Sequence, residues 1–490
     1  MYGLSKSRIT DGLQCPRLLW LKVHSPELVE YDPGTQRIFA MGHEVGRLAQ
    51  ETYGGGVLVG GPHEGPVSGG HLRQAELETQ RLLSAPDDAV LYEATFAHEG
   101  VLVRADIFLR EGGRCRFIEV KSSTTVKPHH LSDAAIQAWV MESAGVPVDG
   151  IAIAHVDNEF RYAGDGDYSG LLVEEDVTEK VRERVLTVPG RVEALREVLA
   201  GDCPPPLVGS HCGSPNACPL KSYCRSETAE YHVASLPHGG KLIPSLQEEG
   251  YFDLRDVPAG RLEKPDHVRV WRATVAGEAE IDERLAAELG DLAYPRYYLD
   301  FETITFAVPI WAGTCPWEQL PFQFSCHVEH ADGRLEHEEF LDISGEPPMR
   351  ACAEAVIAKL GDSGPVLAYT TFEEKRLEWM AAAYPDLAEP LAAIVARIVD
   401  LHPLLQANYY HPDMRGSWSI KAVVPTVLPD LAYDDLDEVH DGTGAQLAFD
   451  EAIRAGTPPE RREDLQRKLL DYCERDTEVM VGLVRYFEGA

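Results

Sequence analysis

Three equally spaced cysteines place the strongest constraint on how this chain can fold. Cys212, Cys218 and Cys224 follow one another at six-residue intervals in a segment rich in glycine, proline and serine, GSHCGSPNACPLKSYCRS. The backbone of such a segment has no regular hydrogen-bonded ladder to maintain, so it can wrap around a metal. Cys15, in LQCPRLLWL, is the candidate fourth ligand, with Cys203 as a competitor. Four thiolates hold zinc or an iron–sulfur cluster, and either would close the N-terminal domain on itself.

The other cysteines and the N-terminal residues indicate the cellular compartment. The first twenty residues lack the long apolar stretch of a secretory signal, and no run of roughly 18 apolar residues occurs. We therefore expect a cytoplasmic protein without a membrane partner. In that compartment the ten cysteines do not indicate a disulfide framework, and those outside the cysteine site should pack as small hydrophobic side chains.

The net charge limits how the chain can bind nucleic acid. Lys and Arg number 45 against 80 Asp and Glu, which gives −35. Most of the excess negative charge follows residue 225, whereas residues 1–50 are slightly positive. A non-specific polyanion binder would carry a basic surface. Any nucleic-acid contact should therefore be local and concentrated near the N-terminus, although a generally acidic proteome would produce the same bias.

Two carboxylates and a lysine mark the N-terminal half. Residues 90–110 alternate as two strands joined by a short turn, and Asp106 lies near the end of the second strand. The next apolar run, CRFIEVKSS, puts Glu119 and Lys121 on one face of a strand, because side chains alternate with period two. The carboxylates can hold Mg²⁺ or Mn²⁺ for phosphodiester cleavage, while the lysine stabilises charge or orients water. An exposed Glu-x-Lys pair at a strand edge is the alternative.

The order of Asp106, Glu119-x-Lys121 and a helix carrying Gln137, DAAIQAWVM, resembles the RecB-like PD-(D/E)XK nucleases. The early cysteine in a C-P-R-x-x-W-like helix and the three late cysteines resemble the iron–sulfur branch, which includes the CRISPR-associated RecB-like and the AddB-type nucleases. The resemblance covers residues 1–225 and implies an α/β restriction-endonuclease-like domain. It also implies catalytic roles for Lys121 and Gln137, and a 4Fe–4S cluster that joins the two ends of the domain. Zinc remains the alternative cofactor, although the spacing differs from paired C-x2-C.

One helix departs from this family's pattern. Many relatives carry a histidine metal ligand in a helix that reads G-x-x-V-H, whereas this chain reads MGHEVGRLA and has Gly46 at that position. His43 and Glu44 are nearby substitutes, but a helical position three residues away points only roughly the same way. Solvent-facing positions on an amphipathic helix are the alternative for both. Glu93, on the first predicted strand, is a further candidate to line the groove.

Residues 226–290 are expected to form a helical connector. Glycine and proline separate short helical patterns here, and IPSLQEEGYFDLRDVP loosely resembles half of a helix-hairpin-helix. The glycine turn of that motif presents backbone N–H groups to phosphate. A plain helical linker is the alternative, because turn glycines between helices are common.

A second acidic set lies in the C-terminal half. PRYYLDFETITF reads as an apolar strand with Asp300 and Glu302 on one face. Charges in such a strand are costly to bury unless they are paired or bind a metal. Glu373 falls near the start of the helix that follows the strand GPVLAY, and Tyr472 and Asp476 lie four residues apart on one face of a helix.

These residues resemble the motifs of the DEDD exonucleases of the RNase H-like fold. Asp300 and Glu302 match the D-x-E motif of that family. Tyr472 and Asp476 match its Y-x3-D motif. Glu373 replaces the aspartate of the middle motif, and Asp400, in VDLHPLL, is a second acidic candidate. The resemblance implies an RNase H-like domain over 291–490, two metal ions held by the carboxylates, and a tyrosine that positions water.

The whole chain resembles a bacterial family that fuses a RecB-like iron–sulfur nuclease to such a domain. The leading hypothesis is a metal-dependent nuclease, of the exonuclease type, that cleaves DNA or RNA and favours single-stranded ends. The sequence has no nucleotide-binding P-loop or helicase signature, so unwinding would require a helicase or another repair or defence partner. The main alternative is a non-catalytic iron–sulfur factor that binds nucleic acid on a degenerate RNase H-like scaffold. A metal-dependent enzyme acting on small phosphates is a third.

Overall fold

The chain folds into two compact units. The structure, a computed structural model, describes residues 3–62, 68–433 and 436–489. Unit 1 comprises the described residues up to Glu227 together with Phe306–Trp317, and unit 2 comprises the remainder. Both units combine helices with a mixed sheet, so the chain is an α/β protein as predicted. Residues 228–290, expected as a connector, are part of unit 2.

The described part of unit 1 contains a seven-stranded sheet. Its strands are β1 (Leu4–Ser5), β2 (Val57–Leu58), β3 (Ala89–His98), β4 (Val101–Glu111), β5 (Arg114–Lys121), β6 (Gly150–Val156) and β7 (Leu172–Asp176). The order is β2-β3-β4-β5-β6-β7, and β1 pairs with β4. Strands β3, β4 and β5 are antiparallel, whereas β5 and β6 are parallel.

Helices connect and cover these strands. They are α1 (Lys6–Gln14), α2 (Pro16–His24), α3 (Pro33–Tyr53), α4 (Gly69–Ser84), α5 (Pro128–Ser143), α6 (Thr178–Val185), α7 (Val188–Ala200) and α8 (Lys221–Ser226). Helix α5 forms the crossover between the parallel strands β5 and β6, as a parallel connection requires. Cys15 separates α1 from α2, and Pro16 begins α2, where its missing N–H costs nothing.

The strand pair predicted at 90–110 is observed as β3 and β4. Glu99 and Gly100 form the turn with φ of 45° and 77°, and two-residue hairpin turns favour positive φ at their central positions. Val103, Ala105 and Phe108 of β4 are buried in the core that packs against α5. Asp106 lies between Ala105 and Ile107, which are buried in two different core clusters.

Unit 2 is built on a five-stranded sheet in the described residues. The strands of the unit are β8 (Glu280–Ile281), β9 (Arg296–Ile304), β10 (Leu320–Glu329), β11 (Leu335–Leu341), β12 (Val366–Ala368), β13 (Ile398–Asp400) and β14 (Tyr409–Tyr410). The order in the large sheet is β11-β10-β9-β12-β13, and β14 pairs with β8. Strand β10 is antiparallel to both neighbours, while β12 is parallel to both β9 and β13.

Ten further helices complete the described part of this unit. They are α9 (Leu242–Glu248), α10 (Pro265–Ala276), α11 (Arg284–Gly290), α12 (Met349–Lys359), α13 (Phe372–Ala383), α14 (Ala388–Val395), α15 (Leu401–Asn408), α16 (Ile420–Val427), α17 (Gly442–Ile453) and α18 (Pro459–Glu488). None of the helices in the described ranges is both long enough and apolar enough to cross a bilayer.

The long helix α18 positions the functional residues of unit 2. It spans 30 residues and packs against β9 and β10. Its buried residues recur at intervals of three and four, from Leu465 and Leu469 to Val484 and Phe487, the spacing of one helical face. Tyr472 and Asp476 lie on this buried face, so the packing that orders the helix also brings both polar groups to the sheet.

Candidate metal centres

Three carboxylates meet in unit 2. Asp300, Glu302 and Asp476 each offer an oxygen, and these oxygens lie within 4.8 Å of one another. Asp300 and Glu302 are alternate residues of β9, while Asp476 comes from α18, more than 170 residues later in the chain. We call these three residues the carboxylate cluster. The sequence predicted all three as members of one site, and the structure brings them together.

The cluster lines a cavity of about 640 Å³. Glu373, at the start of α13, lines the same cavity and is buried. Its Oε2 atom has no hydrogen-bond partner. Burial raises the pKa of Glu373 to about 8, and the charges of Asp400 and Asp476 act in the same direction. Glu373 therefore borders the cavity that the carboxylate cluster lines, with one oxygen free of hydrogen bonds.

Asp400 has a different local role. Its Oδ1 atom accepts a hydrogen bond from the backbone N–H of His402 at 2.9 Å and caps helix α15. Its charge acts on Glu373, but its carboxylate is already used as a cap. In the described structure His402, two residues later, lines the cavity. Asp400 thus lies near the site, and its observed hydrogen bond stabilises the start of α15.

The electrostatics of the cluster favour a bound cation. Burial, followed by the charges of the other carboxylates, raises the pKa of Asp300 and Glu302 well above the usual range. Burial also raises the pKa of Asp476, against the effect of Tyr433 and Lys421. Carboxylates crowded in this way cannot all ionise unless positive charge compensates them. Oxygen ligands of this kind are those preferred by Mg²⁺ and Mn²⁺.

Two further residues complete the site. The Tyr433 hydroxyl donates a hydrogen bond to Oδ1 of Asp476. Lys421 donates to the His440 carbonyl at 2.7 Å, and its Nζ lies 3.4 Å from the hydroxyl of Tyr472. The sequence analysis missed both as site residues. Neither lies in a motif from which a site residue was predicted.

A second polar cluster lies in unit 1. Oε1 of Glu119 accepts hydrogen bonds from Lys6 Nζ at 2.6 Å and from Lys121 Nζ at 2.8 Å. Its Oε2 accepts from the buried Gln137. Asp106 lies on the neighbouring strand, where its Oδ2 accepts from the Val120 N–H at 2.7 Å. We call Lys6, Asp106, Glu119 and Lys121 the lysine–carboxylate cluster.

Charge pairing sets the protonation states in this cluster. Burial opposes ionisation of Glu119, but Lys121 and Lys6 together lower its pKa. Burial and the charge of Glu119 raise the pKa of Asp106 to about 7. The pKa of Lys121 is raised because Glu119, Asp133 and Asp106 outweigh its burial. The two strand carboxylates therefore differ strongly in acidity, as groups do in an acid–base site.

Lys6, Asp133 and Thr10 were not predicted from the sequence. Asp133 of α5 accepts from Lys121 at 3.0 Å and from the Thr10 hydroxyl at 2.9 Å. Lys6 lies on α1, far from Glu119 in sequence. Only the folded arrangement of α1 and α5 over the sheet places these side chains together, and a single sequence carries no signal for it.

The remaining predicted site residues of unit 1 are Gln137, Glu93, His43 and Glu44. Gln137 is fully buried, and its Oε1 has no hydrogen-bond partner. Glu93 pairs with Arg104 at 3.0 Å, although its charge also acts on Asp106. His43 and Glu44 are exposed on α3, whose buried face is formed instead by Met41, Val45 and Leu48.

The four predicted cysteine ligands line one small cavity. Cys15, Cys212, Cys218 and Cys224 all contribute to it. Burial raises the pKa of Cys218 to about 11, and the other three thiols add to the effect. Among the described residues, no three of these sulfurs lie within 4.8 Å of one another. Four thiols around one cavity can hold either a zinc ion or an iron–sulfur cluster.

Arg17 and Cys203 border the cysteine site. Arg17 is almost fully buried and hydrogen-bonds to the Cys224 thiol, and it also donates to Glu227. A guanidinium beside thiolates offsets negative charge, which is the charge that a thiolate-ligated centre brings. The Cys203 thiol donates to the Pro204 carbonyl at 3.6 Å. The cysteines that line the cavity are Cys15, Cys212, Cys218 and Cys224.

Comparison with known proteins adds one match. A family model described as Domain of unknown function (DUF2779) matches residues 297–419. The matched range includes Asp300, Glu302 and Glu373 and ends before Tyr472 and Asp476. No curated protein matches the chain significantly.

Proposed function

We propose that the chain is a metal-dependent nuclease and that the carboxylate cluster is its exonuclease-type centre. One observation carries the proposal: three carboxylates from two distant segments converge within 4.8 Å, in a cavity that Glu373 also lines. Such convergence is destabilising without compensating positive charge. Mg²⁺ or Mn²⁺ would be held by Asp300, Glu302 and Asp476, with the free oxygen of Glu373 as a further ligand.

The chain's own groups then have distinct tasks. When bound, the divalent ions supply Lewis acidity for the phosphate and lower the pKa of water. Tyr472 holds its hydroxyl in the cavity and orients the attacking water by hydrogen bonding. Lys421, beside that hydroxyl, keeps positive charge where the phosphate's negative charge develops. Tyr433 fixes one oxygen of Asp476 and so sets the direction of the other.

The lining of the cavity supports single-stranded nucleic acid as the substrate. Tyr369 and Phe372, which are partly exposed, line it together with the buried Trp418, and the Tyr369 hydroxyl donates to the Trp418 carbonyl at 2.8 Å. Aromatic side chains bind unpaired bases by stacking and tolerate any base sequence. A chain end with unpaired bases fits such a cavity, whereas a continuous duplex keeps its bases in the stack.

The topology of unit 2 supports an RNase H-like fold. Counted along the chain, the sheet β11-β10-β9-β12-β13 has the order 3-2-1-4-5, with an antiparallel half and a parallel half. In this arrangement the first strand is central and carries the first two carboxylates. The PD-(D/E)XK assignment of unit 1 rests on Asp106, Glu119 and Lys121, which lie on adjacent strands.

Unit 1 is proposed to supply a second, RecB-like site with a 4Fe–4S cluster. In that assignment Asp106 and Glu119 bind Mg²⁺ or Mn²⁺, Lys121 stabilises the phosphate, and Gln137 orients Glu119. Cys15, Cys212, Cys218 and Cys224, which line one cavity, would hold the iron–sulfur cluster, with zinc as the alternative. A cytoplasmic location and a helicase or other repair or defence partner belong to the same proposal.

One observation favours a second candidate, in which unit 1 only binds nucleic acid. Both oxygens of Glu119 are already engaged, one by Lys6 and Lys121 and the other by Gln137. A carboxylate satisfied in this way has less capacity for a metal. On that reading, the two lysines contact phosphate and the chain is an iron–sulfur binding factor.

A substrate panel separates these functions. The full chain is incubated with 5′- and 3′-labelled single- and double-stranded DNA and RNA, in Mg²⁺ or Mn²⁺. We expect end-dependent trimming that Asp300→Asn abolishes. Lys121→Ala should leave trimming and metal binding intact but remove any cleavage that depends on unit 1. The matched control is Asp362→Asn, an exposed aspartate, which should behave as the wild type.

Two outcomes would contradict the proposal. Tight binding of these substrates without degradation in either metal would assign the chain to the binding factors. Trimming that Asp300→Asn leaves at the wild-type rate would show that the carboxylate cluster is not the catalytic centre.

A further inference from the structure

A second group of metal-ligating side chains lies on the neighbouring strands of unit 2. His327 of β10 and His337 of β11 are directly paired across the two strands, and their ring centroids are 4.7 Å apart. Glu474 reaches them from α18. One ligand atom from each of the three lies within 4.8 Å of the others. We call these residues the histidine site.

Hydroxyl groups hold both rings in place. Nδ1 of His327 is 2.8 Å from the Thr477 hydroxyl, and Nε2 of His337 is 2.9 Å from the Ser325 hydroxyl. The two hydroxyls are themselves 2.7 Å apart. Histidines that bind metals are characteristically held through their other ring nitrogen in this way. The contacts leave Nε2 of His327 and Nδ1 of His337 as the available nitrogens.

The remaining distances suit a transition metal. Nδ1 of His337 is 3.6 Å from Oε1 of Glu474. In a tetrahedral site with metal–ligand distances of about 2.0–2.1 Å, neighbouring ligand atoms are roughly 3.4 Å apart. A small movement of Glu474, which is exposed, closes the difference. Two imidazoles and one carboxylate match the three-ligand sets of zinc centres that keep a fourth position open.

We propose that His327, His337 and Glu474 bind a first-row transition metal ion of the Zn²⁺ class. The site is separate from the carboxylate cluster, because it shares no ligand with it and differs in chemistry. Imidazole selects Zn²⁺ and similar ions, whereas an all-carboxylate site suits Mg²⁺ and Mn²⁺. The inference rests on these contacts alone and does not depend on nuclease activity.

An ion in the histidine site would connect a helix to two strands of the sheet. A metal there would tie α18 to the β10–β11 hairpin, since Glu474 comes from the helix and the histidines come from the strands. The same helix carries Asp476 two residues later, and Ser325 is the cross-strand partner of Asp300. An ion that binds only the folded arrangement stabilises it by mass action. Zn²⁺ should therefore order the helix on which the carboxylate cluster depends.

Zinc binding to the full chain tests this site. Bound Zn²⁺ is counted by competition with a chromophoric chelator in excess Mg²⁺, which occupies the all-oxygen sites. Zinc held by the cysteines is common to all variants, so a difference from the wild type reports the histidine site. His337→Ala should lose one equivalent, and Zn²⁺ should raise its melting temperature less than it raises that of the wild type. The matched control is His330→Ala, which removes a histidine paired with Glu336 at 3.2 Å. It should bind as many zinc equivalents as the wild type and show the same rise in melting temperature.

A second variant covers the case in which His337→Ala does not fold. Glu474 is exposed, so Glu474→Gln preserves the packing. It should weaken zinc binding at this site at least about tenfold, the loss seen even for groups that only support a ligand. The proposal is overturned if Glu474→Gln and His337→Ala, where folded, bind the same number of zinc equivalents as the wild type with unchanged affinity.

Discussion

The Nζ atom of Lys6 lies 2.6 Å from Oε1 of Glu119, across 113 residues of sequence. Lys121 reaches the same oxygen at 2.8 Å, so two ammonium groups neutralise one buried carboxylate. A divalent cation at Glu119 must compete with both. Unit 1 therefore carries its own positive charge at the place where the proposed nuclease site needs a metal.

Removing Lys6 should strengthen metal binding in unit 1. Lys6→Ala leaves Glu119 with one ammonium partner, and we expect Mn²⁺ affinity to rise about tenfold, equivalent to about 1.4 kcal/mol. Electron paramagnetic resonance titration measures it, in an Asp300→Asn background that weakens the competing site. Lys22→Ala is the control, since Lys22 pairs with Asp11. Unchanged or weaker binding in Lys6→Ala would show that Lys6 does not compete with the metal.

The stability of unit 2 should depend on pH through Glu373. Burial raises its pKa to about 8 from a usual value near 4.5, so the folded state holds a proton that the unfolded chain releases. The stabilisation is complete below about pH 4.5 and is lost as the pH rises toward 8. Each pKa unit corresponds to about 1.4 kcal/mol. The metal-free melting temperature should fall by several degrees across this range.

Glu373→Gln should reduce the pH dependence of the melting temperature, because the amide does not titrate, while Asp300 and Glu302 continue to contribute to it. Thermal unfolding from pH 5 to pH 8.5 measures the difference. Glu374→Gln is the matched control at the neighbouring position and should retain the wild-type slope. Equal slopes in all three proteins would mean that Glu373 ionises normally and does not face the crowded cavity.

The cysteine site should hold the N-terminal domain together. Cys212→Ser should lose the visible absorption of an iron–sulfur cluster and melt at a lower temperature, because metal-binding energy is here part of the folding energy. Cys203→Ser should keep the colour, since the other four cysteines line the cavity. Absorption spectra and thermal melts compare the two. Equal bleaching by both variants would include Cys203 among the ligands.

Tyr472 should act in the reaction rather than in metal binding. Tyr472→Phe removes the hydroxyl while the ring continues to pack, so we expect kcat for trimming to fall about a hundredfold with Mn²⁺ affinity unchanged. Tyr486→Phe, at a partly exposed position on the same helix, is the control. A large loss of Mn²⁺ affinity in Tyr472→Phe would instead make the tyrosine part of the metal site.

Local patterns predicted much of both sites. Period-two alternation put Asp300 with Glu302, and Glu119 with Lys121, and helical spacing put Tyr472 with Asp476. Each of these pairs is set within one element, where the repeat of the backbone fixes the direction of the side chains. The strands and helices that carry them are observed where they were expected.

Contacts between elements that are distant in the sequence could not be predicted from the sequence. Lys6 reaches Glu119 only because α1 lies beside the sheet, and Tyr433 reaches Asp476 only because the fold places it beside α18. His327 and His337 show the same limit, since their pairing depends on the register of β10 and β11. No single-element pattern encodes a register or a docking angle.

Manganese anomalous diffraction from crystals of the full chain tests the central claim most directly. The account predicts Mn²⁺ bound by Asp300, Glu302 and Asp476, with Glu373 alongside, and the loss of that density in Asp300→Asn. Mn²⁺ bound elsewhere in the molecule, with none between these carboxylates at saturating concentration, would contradict it.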